Sequence, residues 1–223
     1  MPRVLFLDLD LTLIDTLRGM YMAFISILSS LNREIPRLSI ESFVKEYYDN
    51  DLDSVLRLNS FEERWRFWNN VWRRYALDPT LYGQPYRCVE DVVNSLRGRY
   101  YIVITTGREI DSRCVRRELE KIGLENLFHE IYSVGDLGLY KRKLDLYRHL
   151  VGRFERLGFK PGELFVISDS YKDLLNAEKI GLRGIGYVPE DIVYVKDYFD
   201  KIGVKYIYTW CEVRDLERFI NDQ

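Results

Sequence analysis

The chain contains little cysteine and no long apolar run. The three cysteines among its 223 residues, Cys88, Cys114 and Cys211, are widely separated and lack the CxxC spacing of a zinc or redox site. We therefore expect reduced thiols and no disulfide. The longest early apolar run, Val4–Leu7, is too short for a signal peptide or for the roughly 20 residues of a membrane span. These absences predict a cytoplasmic protein without a membrane partner.

No charge of one sign dominates the sequence, because 33 basic and 35 acidic residues leave a formal charge of -2. Such a balance gives no sequence-wide attraction to nucleic acid. The arginines Arg113, Arg116 and Arg117 lie among Glu118 and Glu120, a mixture typical of a helix with surface ion pairs. A hydrophobic content of 47% allows a sizeable core and argues against disorder. The length allows one large domain or a core with a smaller companion.

Short apolar runs alternate with helical periodicity along most of the chain. The predicted buried strands are residues 3–9, 100–106, 130–134, 164–168, 184–188 and 205–209. Helical periodicity lies between most of them, for example at 89–96, 112–122 and 143–154. This alternation predicts an α/β fold in which helices cover a parallel sheet.

One long segment departs from the alternation. From residue 16 to residue 82 the pattern is helical, without a convincing strand, and this stretch is too long for an ordinary loop. We therefore predict an inserted helical subdomain at 16–82 and a core formed by 1–15 and 83–223. Phe61, Trp65, Trp68 and Trp72 fall at helical spacing, which favours packing within a helical bundle over an aromatic ligand-binding site.

Polar residues follow the predicted strands at the end where ligands bind in open parallel sheets. Asp8 and Asp10 follow the first strand, and strand alternation would place them on the same side. Carboxylates this close require a cation, and hard oxygen ligands favour Mg²⁺. Asp169 follows the fourth strand and could complete the metal site, while Asp173, one turn later, could orient a cationic side chain. Each motif alone is also typical of a turn or a helix cap.

Two further clusters could bind an oxyanion. Thr105, Thr106 and Gly107 follow the second strand, where we expect a helix to begin and to hold a phosphate at its N-terminus; a plain helix cap is the alternative. The basic cluster at 140–143 contains Lys141 and Lys143. If one lysine points inward, its ammonium would balance the carboxylates and bind the transferring phosphoryl oxygen.

Together these motifs resemble the four motifs of the haloacid dehalogenase-like (HAD) hydrolase superfamily. In chain order they are Asp8-x-Asp10-x-Thr12, Thr106, a lysine near 141 and Asp169-Ser170-x-x-Asp173. The helical insertion after the first strand also matches this family. The resemblance implies a Rossmann-like core carrying a helical cap at 16–82.

The resemblance also assigns roles to the acidic residues. Asp8 would be the nucleophile that forms an aspartyl-phosphate, and Asp10 the general acid/base. Mg²⁺ would be held by Asp8, the backbone carbonyl of Asp10 and Asp169. Asp173 would hold the lysine, a role that supports Lys141 in binding and catalysis.

The phosphate of the substrate would be bound by Thr12, Thr106, Gly107 and Lys141. Alignment on Lys-x-x-x-Asp favours Lys141, although Lys143 remains open, and the Thr-Gly pair favours Thr106 over Thr105. Leu11 stands where many family members have glycine.

The implied activity is a Mg²⁺-dependent phosphatase that acts on a small phosphorylated metabolite. The presence of Asp10 favours phosphate esters, because the dehalogenase and phosphonatase branches lack an aspartate there. A phosphomutase would share every one of these residues. An interaction protein that docks through its aromatic-rich insertion is the non-enzymatic alternative. The sequence specifies neither the ester nor the oligomeric state.

Overall fold

The structure is a computed structural model that describes residues 3–31, 38–49 and 52–221, apart from the side chains of Asp53 and Val213. Parts of the predicted insertion, at 32–37 and 50–51, lie outside the described residues. In chain order the strands are β1 (Val4–Leu7), β2 (Ile14–Asp15), β3 (Gln84–Pro85), β4 (Tyr101–Thr106), β5 (Glu130–Ser133), β6 (Leu164–Ser168), β7 (Arg183–Tyr187) and β8 (Tyr206–Ile207). The helices are α1 (Leu17–Ser30), α2 (Ile40–Asp49), α3 (Leu52–Val55), α4 (Phe61–Ala76), α5 (Val89–Arg97), α6 (Ser112–Lys121), α7 (Lys143–Arg156), α8 (Tyr171–Glu178), α9 (Val195–Ile202) and α10 (Val213–Asn221).

Six strands form one parallel sheet in the order β5-β4-β1-β6-β7-β8. The predicted α/β class with helices on both faces is confirmed. Val4 and Phe6 of β1 pack in one apolar core together with α7, whereas Leu5 and Leu7 pack in a second core together with α5. Because side chains alternate along a strand, a sheet covered on both faces needs a continuous apolar run such as Val4–Leu7.

The register of the three central strands determines where their polar continuations meet. Leu7 at the end of β1 pairs with Ile104 of β4 on one side and with Ile167 of β6 on the other. The strands are parallel, so the residues that follow them emerge at the same edge of the sheet. Asp8 still bonds to the ladder through its N–H, which donates to the Ile167 carbonyl at 2.9 Å.

The 16–82 segment is helical where it is described, with α1 to α4 and a short 3₁₀ turn, Pro79–Leu81. A two-stranded antiparallel pairing of β2 with β3 joins the chain where it enters and leaves the segment. Short two-residue strands carry almost no periodicity, so the sequence did not predict this pairing. Trp68 and Trp72 of α4 are buried in the same core as α7, as predicted for a packing stripe, and Tyr75 of the same helix packs with them.

The expectation of reduced thiols is wrong for two of the three cysteines. Cys88 and Cys211 form a disulfide with a Cα–Cα distance of 5.2 Å, and Cys114 is free. The partners are separated by 123 residues, so the fold, and not a local spacing motif, brings them together. Next to the bridge, the indole of the buried Trp210 donates to the Thr12 carbonyl at 2.7 Å. No helix within the described ranges is long and apolar enough to cross a membrane.

Candidate active site

A lysine between two aspartates lies at the carboxyl end of β1. The Lys143 ammonium is 2.6 Å from Asp8 Oδ2 and 2.6 Å from Asp173 Oδ2. Burial raises the pKa of Asp8 to about 6, and Lys143 limits that rise. Burial also opposes the charge of Lys143, but Asp173 and Asp8 outweigh it and raise the pKa of the ammonium well above its ordinary value. The amine is therefore a permanent cation beside Asp8.

The inward lysine is Lys143, so the assignment to Lys141 is corrected. Lys143 is the first residue of α7, and Leu146, Tyr147 and Leu150 follow it at helical spacing on the buried face. Lys141 precedes the helix and is exposed at the rim of the cavity. The helical periodicity that begins at residue 143 is a sequence signal for Lys143, and the Lys-x-x-x-Asp alignment obscured it.

An arginine between two carboxylates lies on the neighbouring strand end. Arg108 Nη2 is 2.7 Å from Asp10 Oδ1, and Arg108 Nε is 3.0 Å from Asp10 Oδ2. On its other side the guanidinium pairs with Glu118 of α6. Glu118 lies on the buried face of that helix with Val115 and Leu119, so its predicted role in surface ion pairs is wrong. The sequence signal for this burial is a charged residue at an apolar position of the helical pattern.

The Thr106 hydroxyl is directed at Asp10. Its Oγ1 is 3.2 Å from Asp10 Oδ2 and accepts from the Arg108 N–H, also at 3.2 Å. Gly107 lines the cavity. The expected helix N-terminus directly after Gly107 is wrong, because α6 begins at Ser112 and is capped by the Asp111 side chain. A phosphate at this point would therefore contact loop backbone.

Asp169 is buried between the loop after β1 and helix α2. Thr12 Oγ1 donates to Asp169 Oδ1 at 2.8 Å and accepts from the Asp169 N–H at 2.9 Å. The hydroxyl of Tyr48 donates to Asp169 Oδ2. Burial and repulsion by Asp8 raise the pKa of Asp169 to about 8. Thr12 is fully buried and bonded to this carboxylate, so it orients Asp169 and its predicted contact with substrate is corrected.

Leu11 adopts a left-handed backbone conformation, with φ of +57°. Glycine accommodates this region without steric cost, which explains why glycine suits this position in similar sequences. Here the strain of roughly 1 to 2 kcal/mol is offset because the Leu11 side chain is almost completely buried in the core.

The donor atoms of the site fit a hard divalent cation. Asp8 and Asp169 are buried carboxylates, and repulsion by Asp8 adds to the burial that raises the pKa of Asp169. The Asp10 carbonyl follows on the loop after Asp8. Within the described part of the chain no group of three or more His, Cys, Asp or Glu side chains could hold a metal. Mg²⁺ needs no such group, because one or two carboxylates, water and a substrate phosphate usually complete its octahedron.

A cavity of about 440 Å³ opens over these residues. Its floor includes Asp8, Asp10 and Asp169, and Tyr48, Trp68 and Trp72 of the helical segment line it as well. The volume suits a small organic molecule. The aromatic stripe of α4 therefore serves both packing and the wall of the cavity, although the sequence favoured packing alone.

Solved structures with the same fold come from several bacteria. A predicted phosphatase from Clostridium acetobutylicum is 18% identical with a TM-score of 0.74, and the alignment covers 97% of this chain and 99% of that one. A predicted phosphoglycolate phosphatase from Haemophilus somnus is 18% identical with a TM-score of 0.66, over 96% and 97% of the two chains. A HAD-hydrolase from Bacillus subtilis bound to magnesium is 19% identical with a TM-score of 0.64, over 99% of both chains.

No curated protein matches the chain. The sequence model of the haloacid dehalogenase-like hydrolases matches residues 4–187, which include every residue of the site described above. A match over most of the chain, to a fold that gathers the motif residues at one edge of its sheet, identifies the family. The chain belongs to the haloacid dehalogenase-like hydrolases.

Proposed function

We propose that the protein is a Mg²⁺-dependent phosphatase that hydrolyses the phosphate monoester of a small organic compound. The observation that carries the proposal is the placement of Asp8 against Lys143, with Asp10 and Asp169 lining the same cavity. Phosphoryl transfer requires mainly in-line positioning and neutralisation of the phosphoryl oxygens, and this set supplies both.

Asp8 is the proposed nucleophile. A carboxyl with a pKa of about 6 is mostly ionised at neutral pH, so its oxygen can attack phosphorus. The Leu9 N–H at 2.8 Å from Oδ1 and the Ser168 hydroxyl at 2.7 Å from Oδ2 orient the carboxylate. The product of this step is an aspartyl-phosphate, which water then hydrolyses.

Asp10 is the proposed general acid/base. It would protonate the oxygen of the departing alcohol and later accept a proton from the attacking water. Lys143 would balance the charge of the phosphoryl oxygens while Asp173 holds it. When bound by Asp8, the Asp10 carbonyl and Asp169, Mg²⁺ would supply further charge neutralisation.

The helical segment at 16–82 is proposed to act as a cap. Tyr48, Trp68 and Trp72 contribute apolar surface to the cavity wall, which would exclude bulk water around the reacting groups. Arg64 of α4 also lines the cavity and is suited to contact a second polar group of the substrate.

The test is a magnesium-dependent screen of phosphorylated metabolites with wild-type protein and Asp8→Asn. We expect release of inorganic phosphate from wild-type protein and a loss of at least about 1,000-fold in the variant, because the amide cannot form the phosphoenzyme. Thermal melting of the variant checks that it is folded. Full activity of Asp8→Asn would refute the assignment, and conversion of a sugar phosphate to its positional isomer without free phosphate would favour the mutase alternative.

Absence of metal-stimulated hydrolysis across the whole panel would instead favour the interaction protein.

The cytoplasmic location and the absence of a nucleic-acid partner stay predictions. The Cys88–Cys211 disulfide is typical of oxidising compartments or of intracellular proteins from hyperthermophiles. Fractionation of the native host therefore tests the location.

A further inference from the structure

Arg108 is a buried cation that the motif assignments leave without a role. Its side chain has no exposed surface, yet it lies between Asp10 and Glu118 on the floor of the cavity. Burial opposes the charge, but the two carboxylates outweigh that cost and raise the pKa of the guanidinium well above its ordinary value. Arg108 is therefore a fixed positive charge next to the proposed general acid/base.

The contact with Asp10 is bidentate. Nη2 donates to Oδ1 at 2.7 Å and Nε donates to Oδ2 at 3.0 Å, so two nitrogens of the guanidinium contact the two oxygens of the carboxylate. A planar fork of this kind fixes the orientation of a carboxylate as well as its position. Thr106 adds a hydroxyl donor at 3.2 Å from Oδ2. The Asp10 side chain is thus held from two directions.

The guanidinium is itself held by helix α4 of the proposed cap. Its carbon lies 4.5 Å from the ring centroid of Trp72 and 4.8 Å from that of Tyr75. The Tyr75 hydroxyl donates to Glu118 at 2.6 Å, and Glu118 pairs with the opposite side of Arg108. Aromatic faces attract a desolvated cation, so α4 restrains Arg108 in addition to forming the cavity wall.

Stability alone gives a weak reason for this arrangement. A buried ion triad often contributes no more to folding than apolar residues of the same volume, because desolvation offsets the attraction. Direct binding of substrate is also disfavoured, because the Arg108 N–H groups on both sides of the fork are directed at Asp10 and Glu118. The effect of Arg108 on the reaction is therefore exerted through Asp10.

We propose that Arg108 is the positioning residue of this site: it fixes the Asp10 carboxylate for proton transfer and links it to helix α4 through Trp72 and Tyr75. The inference rests on the proposed phosphatase function. It differs from the family roles given above because it involves a residue outside those motif positions and a contact made by the helical segment.

The first test compares leaving groups in the variant Arg108→Met. An alkyl phosphate needs a proton on its departing oxygen, whereas p-nitrophenyl phosphate does not. We expect kcat/KM to fall by about 100-fold for the alkyl ester and by less than about tenfold for the aryl ester. The aryl ester should also give a stoichiometric burst of nitrophenol, because water activation by a misplaced Asp10 becomes slow. Equal losses for both esters would overturn the proposal.

The second test is a double-mutant cycle with Asp10→Asn. If Arg108 acts through Asp10, Arg108→Met in the Asp10→Asn background should lower kcat/KM for the alkyl ester by less than about twofold. Multiplying losses would mean that Arg108 acts independently of Asp10 and would overturn the proposal. Arg108→Lys should restore only part of the activity, because an ammonium lacks the planar fork.

Two further variants guard against misfolding and nonspecific effects. Arg108→Met/Glu118→Gln removes the uncompensated buried carboxylate, and it should melt cooperatively and still discriminate between the two esters. Arg113→Met removes an exposed arginine from the first turn of α6 and should keep wild-type kinetics.

A wild-type protein without phosphatase activity would overturn both the proposed function and this inference. If Asp8→Asn is inactive but Arg108→Met keeps wild-type kinetics, only this inference fails.

Discussion

The site contains two buried cations, each between two carboxylates, and the two differ in how firmly they are held. Lys143 lies between Asp8 and Asp173 with 9% of its side chain exposed, whereas Arg108 lies between Asp10 and Glu118 with 0% exposed. The ammonium is a point charge on a flexible stem, and the guanidinium is a planar fork in contact with two aromatic rings.

This difference suits the two proposed tasks. In the proposed reaction Lys143 would contact both Asp8 and the phosphoryl oxygens, and a point charge on a flexible stem can do so without one fixed orientation. A general acid/base must keep one orientation through two proton transfers, and a bidentate arginine enforces that orientation. The contrast predicts that activity depends on the position of the positive charge of Lys143 and on the orientation of the planar guanidinium of Arg108.

The largest effect should come from Lys143→Met. Loss of the ammonium removes a donor for the phosphoryl oxygens and also removes the charge that limits the rise in the pKa of Asp8. We expect kcat to fall by about 1,000-fold and the acidic limb of the pH–rate profile to move to higher pH, because Asp8 then ionises later. Steady-state kinetics between pH 5 and 9 measure both. An unchanged acidic limb would contradict the electrostatic link between Lys143 and Asp8.

Asp173→Asn should have a smaller effect. The amide keeps the shape but releases Lys143 from its second anchor, so we expect kcat to fall by about 10- to 100-fold with little change in fold. Asp145→Asn on α7, the helix that carries Lys143, is the matched control, because its side chain accepts the Arg142 N–H outside the carboxylate cluster. If Asp173→Asn reduced activity no more than Asp145→Asn, the two-anchor description of Lys143 would be wrong.

The response to Mg²⁺ should depend on pH through Asp169. Its pKa of about 8 in the folded protein exceeds that of an unfolded aspartate, so the folded carboxyl keeps its proton at pH 6. The protonated carboxyl therefore stabilises the folded state at low pH. This contribution to the free energy of unfolding is lost as the pH rises towards 8. Because metal binding must displace the proton, apparent affinity should weaken roughly tenfold per pH unit below 8. Thermal melting with and without Mg²⁺ should therefore show a larger stabilisation at pH 8.5 than at pH 6.

Asp169→Asn tests this interpretation with a melting readout independent of turnover. Between pH 7 and pH 8.5, where Asp8 with its pKa of about 6 is already mostly ionised, the variant should lose the pH-dependent part of the Mg²⁺ shift, because its amide does not titrate. Equal shifts at both pH values in the wild-type protein would contradict the role of Asp169 as a proton-coupled ligand.

The sheet and the acidic residues could be predicted from sequence because local patterns encode them. Apolar runs specify β1, β4 and β6, and the polar residues after parallel strands must meet at one edge. The choice between Lys141 and Lys143 depended on which of the two lysines begins α7, because they are only two residues apart. The periodicity predicted at 143–154 begins at the observed first residue of α7, so the signal for Lys143 is present in the sequence and the Lys-x-x-x-Asp alignment overrode it.

Long-range partners could not be predicted. Glu118 and Tyr75 contact each other across 43 residues, and Cys88 and Cys211 across 123, so neither pairing has a local signal. Glu118 was predicted to form surface ion pairs, and even its apolar position in the helical pattern indicates only burial, not which partner it has. Only the packing of α4 against α6 brings Tyr75 and Glu118 together.

The smallest effect should come from Tyr75→Phe, which tests how much helix α4 contributes to the arginine site. The ring, whose centroid lies 4.8 Å from the Arg108 guanidinium carbon, stays, while the hydroxyl that donates to Glu118 at 2.6 Å and accepts from the Gly83 N–H at 2.9 Å is lost. We expect unfolding free energy to fall by about 2 kcal/mol, since a hydrogen bond to a buried charged group is removed. Activity should fall by less than about threefold, because Arg108 keeps its contacts with Asp10. Urea unfolding measured beside the kinetics separates the two effects. A large loss of activity with unchanged stability would show that the Tyr75 hydroxyl, and not its ring, positions Arg108.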